Sequence, residues 1–236
     1  MKTCKVKVSL LKDTPFYCKK TSILDILLVI KLWSFKVKQT AICEFLGISQ
    51  KCIRHIINKT LSIVENTVYN LTGKIGGPGI IVEIDESKFG KVKYHKGHRV
   101  DGVWVFGMVE RTTQRKIVMI PVDNRRADTL EEIIKNYVHR ESIIHSDCFK
   151  SYSKLKDIFA ERKTVNHSIE FVNNINSCHT NTIEGNWFGI KNETSVRHRT
   201  RTLISGSLIR FMLRRNFKGD VFTNIIKFIF SSFFPF

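Results

Sequence analysis

The stretch Gly79-Ile80-Ile81-Val82-Glu83-Ile84-Asp85 decides the fold of this chain, because it is a short apolar run that ends at an acidic residue. A second run, Ser142-Ile143-Ile144-His145-Ser146-Asp147, has the same form. Short runs rich in isoleucine and valine predict buried β-strands, so we expect Asp85 and Asp147 to end two strands. If these strands are neighbours in one sheet, both carboxylates emerge at the same edge.

A third acidic residue, Glu184, lies in His179-Thr180-Asn181-Thr182-Ile183-Glu184-Gly185-Asn186-Trp187, which predicts the start of a helix. An apolar stripe would anchor this helix to the sheet: Ile183, Trp187 and Ile190. Lys191 follows Glu184 by two helical turns and therefore lies on the same face, beside the site, as a fixed positive charge. Asn181 precedes Glu184 by one turn and is a candidate supporting ligand.

Two strand aspartates and a helical glutamate suit a two-metal phosphoryl-transfer site. Asp85, Asp147 and Glu184 would hold two divalent ions, Mg²⁺ or Mn²⁺, with Asn181 as a further candidate metal ligand. Such ions activate a water or hydroxyl group and stabilise the leaving oxygen of an in-line displacement at phosphorus. We therefore predict catalytic roles for the three carboxylates and for Lys191.

The charge of the chain indicates a polyanionic partner. Lys and Arg number 39 against 21 Asp and Glu, which gives a formal net charge of +18 over 236 residues. The positive charge is spread along the sequence, so nucleic acid is the favoured partner. An anionic membrane surface is the alternative, but no basic amphipathic anchor stands out. A hydrophobic content of 42% allows a sizeable core and argues against general disorder.

The six cysteines form no C-x-x-C pair, so no zinc ribbon is expected. Cys178-His179 and His167 lack the spacing of a metal site. Reduced thiols and the absence of a signal-peptide pattern favour an intracellular, DNA-associated protein, in the nucleus of a eukaryote or the nucleoid of a bacterium. The apolar stretches at 23–33 and 221–236 are too short or too interrupted by charges to span a membrane.

The segment before the strands has helical periodicity. Thr21 and Ser22 are candidate caps for a helix that begins near Ile23. From Lys38 to Ile57 the pattern predicts a short helix, a turn at Gly47 and a second helix capped by Ser49, which resembles a helix-turn-helix. Its expected inner face is Ala41, Leu46, Ile48, Ile53 and Ile56. The residues expected to face DNA are Gln50, Lys51, Arg54 and His55. An ordinary helical hairpin is the alternative.

Four glycines and a proline within residues 73–79 predict a linker or turn, after which the sequence pattern becomes typical of strands. Later segments predict a helix capped by Asp128, a short helix near 148–155 and a strand near 164–167. This order predicts a mixed α/β sheet domain after a small all-α domain. The expected division is residues 1–20 as an irregular segment, 21–72 as the helix-turn-helix domain, 79–217 as the catalytic domain and 218–236 as an apolar tail.

Two basic stretches flank the predicted site and suit backbone phosphates. The first is an aromatic-interleaved loop whose candidate DNA-binding residues are Lys88, Lys91, Lys93, Lys96 and Arg99. The second follows the Glu184 helix, with Arg197, Arg199 and Arg201 as its candidates.

Several motifs together resemble the DDE transposase domain of ISXO-type bacterial insertion sequences, and the eukaryotic Merlin DNA transposons carry a similar domain. They are the block at 82–90, Trp104-Val105-Phe106-Gly107, Val165-Asn166-His167-Ser168, and His179 to Trp187 with Ile190-Lys191. The resemblance covers about residues 20–217. It implies a ribonuclease-H-like fold, Asp85, Asp147 and Glu184 as the metal-binding triad, and Lys191 as an accompanying residue. In some relatives the third catalytic group is an asparagine rather than a glutamate. Glu184 and Asn181 are therefore alternatives for the third group of this chain.

The expected function is metal-dependent DNA cleavage and strand transfer of a mobile element by cut-and-paste transposition. The partners would be the terminal inverted repeats of the element and target DNA, bound by a homodimer or a larger assembly. Many relatives begin with a zinc ribbon that this chain lacks, so a decayed or domesticated copy that acts as a non-catalytic DNA-binding repressor is one alternative. A structure-selective nuclease on the same fold is the other.

Overall fold

The apolar runs predicted as strands do form strands in the computed structural model, which describes Thr14 and residues 16–17, 21–90, 102–166 and 178–233. The strands are β1 (Ile81–Phe89), β2 (Val103–Glu110), β3 (Ile117–Val122), β4 (Ile143–Asp147) and β5 (Glu161–Val165). The helices are α1 (Ile23–Ser34), α2 (Gln39–Leu46), α3 (Gln50–Thr72), α4 (Ala127–Tyr137), α5 (Asn181–Glu193), α6 (Ile204–Asn216) and α7 (Val221–Phe233). Two 3₁₀ helices cover Lys150–Asp157 and Val196–His198.

The five strands form one mixed sheet in the order β3-β2-β1-β4-β5. β1 to β3 are antiparallel neighbours, as hairpin connections allow, whereas β4 lies parallel to both β1 and β5. The parallel pairing of β1 with β4 requires a crossover, which is made through β2, β3 and α4. The predicted mixed α/β class is confirmed.

Side-chain alternation divides the sheet into two faces. Val82 and Ile84 of β1 point into an apolar core under α4 and the first 3₁₀ helix, together with Phe106, Ile144 and Tyr152. On the opposite face, α5 packs against β1 and β2, and α6 packs against β3. The residues between the core positions, Glu83 and Asp85, therefore face α5.

Two expectations about element ends are wrong. β1 does not end at Asp85 but continues to Phe89, because Glu86 to Phe89 pair with β2 and keep the strand in the sheet. Asp128 does not cap α4, since the cap residue is Arg126 and Asp128 lies in the first helical turn.

The chain divides into two compact units: residues up to Thr67 together with those from Gly219 onward, and Val68–Lys218. In the first unit, α1 packs against α2 and α7. Ser22 caps α1 by accepting a hydrogen bond from the Asp25 amide at 3.1 Å, as predicted. The domain boundaries proposed from the sequence stay predictions.

The two helices predicted around Gly47 are present as α2 and α3. Gly47 ends α2 in the left-handed region at φ 64°, which glycine adopts without steric cost, and Ser49 Oγ accepts a hydrogen bond from the Cys52 amide at 3.3 Å. Ile53 and Ile56 are buried as expected, but Ala41 is exposed and its neighbour Ile42 is buried instead. That these helices read DNA stays a prediction. None of the helices in the described ranges has both the length and the apolar character that a bilayer span needs.

Candidate active site

The register of the sheet brings the two aspartates level with each other. β1 and β4 pair in parallel as Ile81 with Ile143 and Glu83 with His145. Two residues further along each strand stand Asp85 and Asp147, and alternation places both on the face covered by α5. The strand pairing therefore makes the two carboxylates neighbours, as the sequence predicted. They are neighbours although Asp85 does not end its strand.

Two carboxylates of β1, the fully buried Glu83 and the half-buried Asp85, hold α5 against the strand. Glu83 Oε2 accepts a hydrogen bond from the Ile183 amide at 2.9 Å, and Asp85 Oδ2 accepts one from Trp187 Nε1 at 2.9 Å. Two residues along a strand span about 6.6 Å and four along a helix about 6 Å, so the two hydrogen bonds match in spacing. They fix both the position and the direction of the helix that carries Glu184.

Gly107 lets this helix approach the sheet closely. It lies on β2 directly opposite Asp85. A Cβ atom at this position would come within 2.6 Å of the Trp187 ring and 2.9 Å of Ile183. The Trp187 ring also meets Phe89 edge-on, with centroids 6.2 Å apart. A side chain at residue 107 would therefore push Trp187 away from Asp85.

Sequence analysis missed a network at the start of α5. Glu83 is fully buried and forms an ion pair with Arg111, whose Nε lies 2.5 Å from Glu83 Oε1. Arg111 Nη2 donates a hydrogen bond to the carbonyl of His179 at 2.7 Å. The network ties β1, the residue after β2 and the loop before α5 together. An acidic residue inside an apolar run, two positions before Asp85, was the available signal.

Burial and neighbouring charge make Asp85 a weaker acid than usual. Its pKa is raised from 3.8 to about 6, chiefly by burial, with the charges of Asp147 and Glu184 adding to the increase. The Trp187 hydrogen bond opposes this rise by stabilising the carboxylate. Glu86, on the other side of β1, has its pKa raised from 4.5 to about 7, again chiefly by burial, with Asp85 and Asp147 adding to it. Negative charge therefore converges at this edge of the sheet.

Glu184 and Lys191 both lie near enough to Asp85 to interact with its charge. Glu184 lies in the first turn of α5, where its Oε1 accepts a hydrogen bond from Thr180 Oγ1 at 3.1 Å. Lys191 Nζ lies 5.4 Å from the centre of the Phe89 ring. Burial and the nearby Arg199 lower the pKa of Lys191, and the charge of Asp85 opposes that change. Asn181 is the first residue of α5 and is exposed, and its backbone amide donates to His179 Nδ1 at 3.4 Å.

The aspartate pair suits a divalent cation, but a full ligand set is not gathered. Carboxylate oxygens are the ligands that Mg²⁺ and Mn²⁺ prefer, and a cation would relieve the repulsion that raises the pKa of Asp85. Asp147 is already oriented, because its Oδ1 accepts a hydrogen bond from the Phe149 amide at 2.9 Å. Within the residues that the structure describes, no three Asp, Glu, His or Cys side chains lie close enough to hold one ion. The third ligand stays open between Glu184 and Asn181.

The predicted DNA-contacting residues of α3 are accessible. Their side chains are exposed along one side of the helix, opposite the buried Ile53, Ile56 and Ile57: Gln50, Lys51, Arg54 and His55. This is the arrangement that an amphipathic recognition helix needs.

The predicted basic residues near the sheet have different surroundings. Lys88 is half-buried with its Nζ 5.7 Å from the centre of the Trp104 ring, and Arg197 is exposed. Arg199 donates to the carbonyl of Lys191 at 2.6 Å, so it caps the end of α5, and Arg201 pairs with Asp123 at 3.2 Å. The remaining candidates, with His167, lie outside the described residues: Lys91, Lys93, Lys96 and Arg99.

The strand order and the carboxylate-bearing edge define a mixed α/β domain compatible with a ribonuclease-H-like transposase domain. Residues 71–202 match the profile of the ISXO2-like transposase domain, more than half of the chain, and the chain belongs to this family of DDE transposases. Membership implies a DNA-processing enzyme of a kind that generally uses divalent metal ions. No curated protein matches the chain.

Proposed function

We propose that this protein catalyses metal-dependent DNA cleavage and strand transfer of a mobile element by cut-and-paste transposition, as in the ISXO-type and Merlin elements. The observation that supports it best is the alignment of Asp85 with Asp147 on adjacent strands, beneath a helix that is hydrogen-bonded to Asp85 and carries Glu184. Acidic groups converging at one sheet edge of a chain with a net charge of +18 suit chemistry on a nucleic-acid phosphate.

The residues of the site would have distinct roles. Asp85 and Asp147 would hold the divalent ions, and either Glu184 or Asn181 would complete the ligand set. The ions, when bound, would activate the attacking oxygen and stabilise the leaving oxygen of an in-line displacement. Trp187 orients Asp85 through its hydrogen bond. Lys191, near Asp85, would place a positive charge beside the reacting phosphate.

DNA recognition would use residues other than the carboxylates. The exposed residues of α3 would read the terminal repeats of the element, in the manner of a helix-turn-helix. The basic residues around the sheet would add affinity that depends on salt and little on sequence. Because transposition joins two ends, a homodimer or a larger synaptic assembly is the expected working form.

A strand-transfer assay tests this proposal. The protein is incubated with Mg²⁺ or Mn²⁺, a pre-cut DNA end from the flanking element and a supercoiled plasmid, alongside Asp85→Asn. The matched control is Asp157→Asn, because Asp157 is exposed and is not part of the site. Joined products with the native chain and the control, but not with Asp85→Asn, are expected. Cleavage without joining would indicate a nuclease instead.

The exposed, basic side of α3 also suits a second candidate, a non-catalytic DNA-binding protein derived from a transposase. Such a protein would bind the element ends but would neither cleave nor join them. DNA binding retained by the native chain, with no metal-dependent product under any condition of the same assay, would establish this candidate and refute the first.

A further inference from the structure

Arg125 is held between two aromatic rings beside the candidate active site. Its guanidinium carbon lies 3.7 Å from the centre of the Trp104 ring and 5.1 Å from the centre of the Phe149 ring. Its backbone carbonyl accepts a hydrogen bond from Ser151 Oγ at 2.8 Å, which fixes the loop that carries it. Stacking over an aromatic face orients a guanidinium group while leaving its in-plane N–H groups accessible.

Those N–H groups are not used within the part of the chain that the structure describes. The guanidinium group of Arg125 makes ring contacts there but neither a hydrogen bond nor an ion pair. Its charge lowers the pKa of nearby Glu86, yet the two groups form no ion pair. An arginine that is held in place and whose N–H groups are unused can bind an external anion.

A second cation approaches the same indole ring. Lys88 pairs with Trp104 across β1 and β2, and its Nζ lies 5.7 Å from the ring centre. Two like charges on one ring repel each other, and a bound phosphate would relieve that repulsion more fully than nearby Glu86, whose charged form is disfavoured by burial. We call Lys88, Trp104, Arg125 and Phe149 the Arg125 cluster.

The Arg125 cluster adjoins the aspartates. The Phe149 amide donates to Asp147 Oδ1 at 2.9 Å, so the ring that contacts Arg125 belongs to the residue that orients a catalytic candidate. Lys88 is three residues beyond Asp85 on β1. Alternation places Lys88 and Trp104 on the face of the sheet opposite Asp85, so an anion bound by Arg125 would lie across the sheet edge from the carboxylates, next to the Phe149 that contacts Asp147.

Building on the proposed function, we propose that Arg125, supported by Lys88, binds a backbone phosphate of the DNA strand that enters the active site. The planar fork of the guanidinium group can donate two parallel hydrogen bonds to one phosphate, and Trp104 and Phe149 hold it in place for that contact. Because every nucleotide carries a phosphate, the contact positions the strand and does not read its sequence.

The test measures DNA affinity as a function of salt, without divalent metal, for native protein, Arg125→Gln and Arg126→Gln. The probe is a blunt duplex of mixed sequence, followed by fluorescence anisotropy with EDTA present. Arg126 is the matched control, because it is the adjacent arginine, is exposed and makes no ring contact with any residue that the structure describes. Each variant loses one positive charge from the same loop.

We expect Arg125→Gln to weaken binding about tenfold and to reduce the slope of log K against log salt by about 0.9, the loss of one phosphate contact. Arg126→Gln should change the affinity and the salt slope much less. Equal effects of the two substitutions would overturn the proposal, whereas failure of the native protein to bind DNA would instead refute the proposed function. If Arg125→Gln does not fold, Arg125→Lys takes its place: weaker binding with the slope retained is expected, and native affinity would overturn the proposal.

Discussion

The two faces of the central sheet are held to their helices by different forces. Under α4, side chains such as Ile84, Phe106 and Leu130 form an apolar core. Under α5, the carboxylates of the buried Glu83 and the half-buried Asp85 accept hydrogen bonds from the helix. Apolar packing has no preferred direction, whereas a hydrogen bond to a buried carboxylate requires a particular donor at a particular distance. On the face that carries the candidate site, hydrogen bonds therefore define the position and direction of the helix, which apolar packing alone would not do.

The largest expected effect on strand transfer comes from replacing the third metal ligand, on the α5 face. Glu184 is hydrogen-bonded to Thr180, and its charge raises the pKa of Asp85, whereas the side chain of Asn181 carries no charge. We expect Glu184→Gln to reduce strand transfer by at least about a hundredfold and Asn181→Ala by less than about threefold. The measurement is the yield of joined product at fixed time. The reverse order would make Asn181 the third group.

Adjacent residues of β1 allow a direct comparison of the two faces. Glu83→Gln should cost about 3 kcal/mol of the free energy of unfolding, because it leaves the Arg111 charge without its partner. Ile84→Val, on the apolar face, should cost only about 1 kcal/mol for the lost methylene group. Denaturant unfolding monitored by circular dichroism measures both. Equal costs would show that the Glu83 carboxylate does not hold α5 in place.

The close approach of α5 can be tested at Gly107. Gly107→Ala should lower the free energy of unfolding by about 2 kcal/mol, since the new methyl group overlaps the Trp187 ring. The matched control is Gly185→Ala on α5 itself, where a Cβ atom meets nothing within 4 Å. That control should increase stability by up to about 1 kcal/mol through helix propensity. An unchanged free energy of unfolding for Gly107→Ala would mean that Trp187 can move aside without a cost in stability.

The raised pKa of Asp85 predicts a pH dependence of stability in the absence of divalent ions. Its pKa is about 6 in the folded chain against an ordinary 3.8, so the folded state holds more protons than the unfolded state between these values. Stability is therefore lost as pH rises from about 4 to about 6. Asp85→Asn should remove this loss and be more stable than the native chain at neutral pH by about 2 kcal/mol, with no difference near pH 4.

Thermal unfolding in EDTA across this pH range measures the effect. Asp157→Asn should follow the native curve, because Asp157 is exposed. His145 changes stability in the opposite direction, since burial lowers its pKa from 6.5 to about 4, but this contribution is common to all three proteins and cancels in the comparison. Parallel curves for the native chain and Asp85→Asn would show that Asp85 is solvated in the folded protein.

The sequence by itself determined the local features of this protein. Apolar runs predicted β1 and β4, and helical periodicity predicted α2 and α3 with their turn at Gly47 and cap at Ser49. It also singled out Asp85, Asp147 and Glu184, because acidic residues stand out beside apolar runs. All of these depend on residues a few positions apart, which is the range over which backbone geometry and capping act.

Only the tertiary structure decided which residues build the site around those acids. Pairing with β2 carried β1 past Asp85 to Phe89, against the expectation from the apolar run. Glu83 and Ile183 are separated by 100 positions and Asp85 and Trp187 by 102, so neither contact has a local pattern. The same holds for Gly107 beneath Trp187 and for Arg125 over Trp104. Such contacts depend on strand order and helix placement, which are set by burial over the whole chain rather than by neighbouring residues.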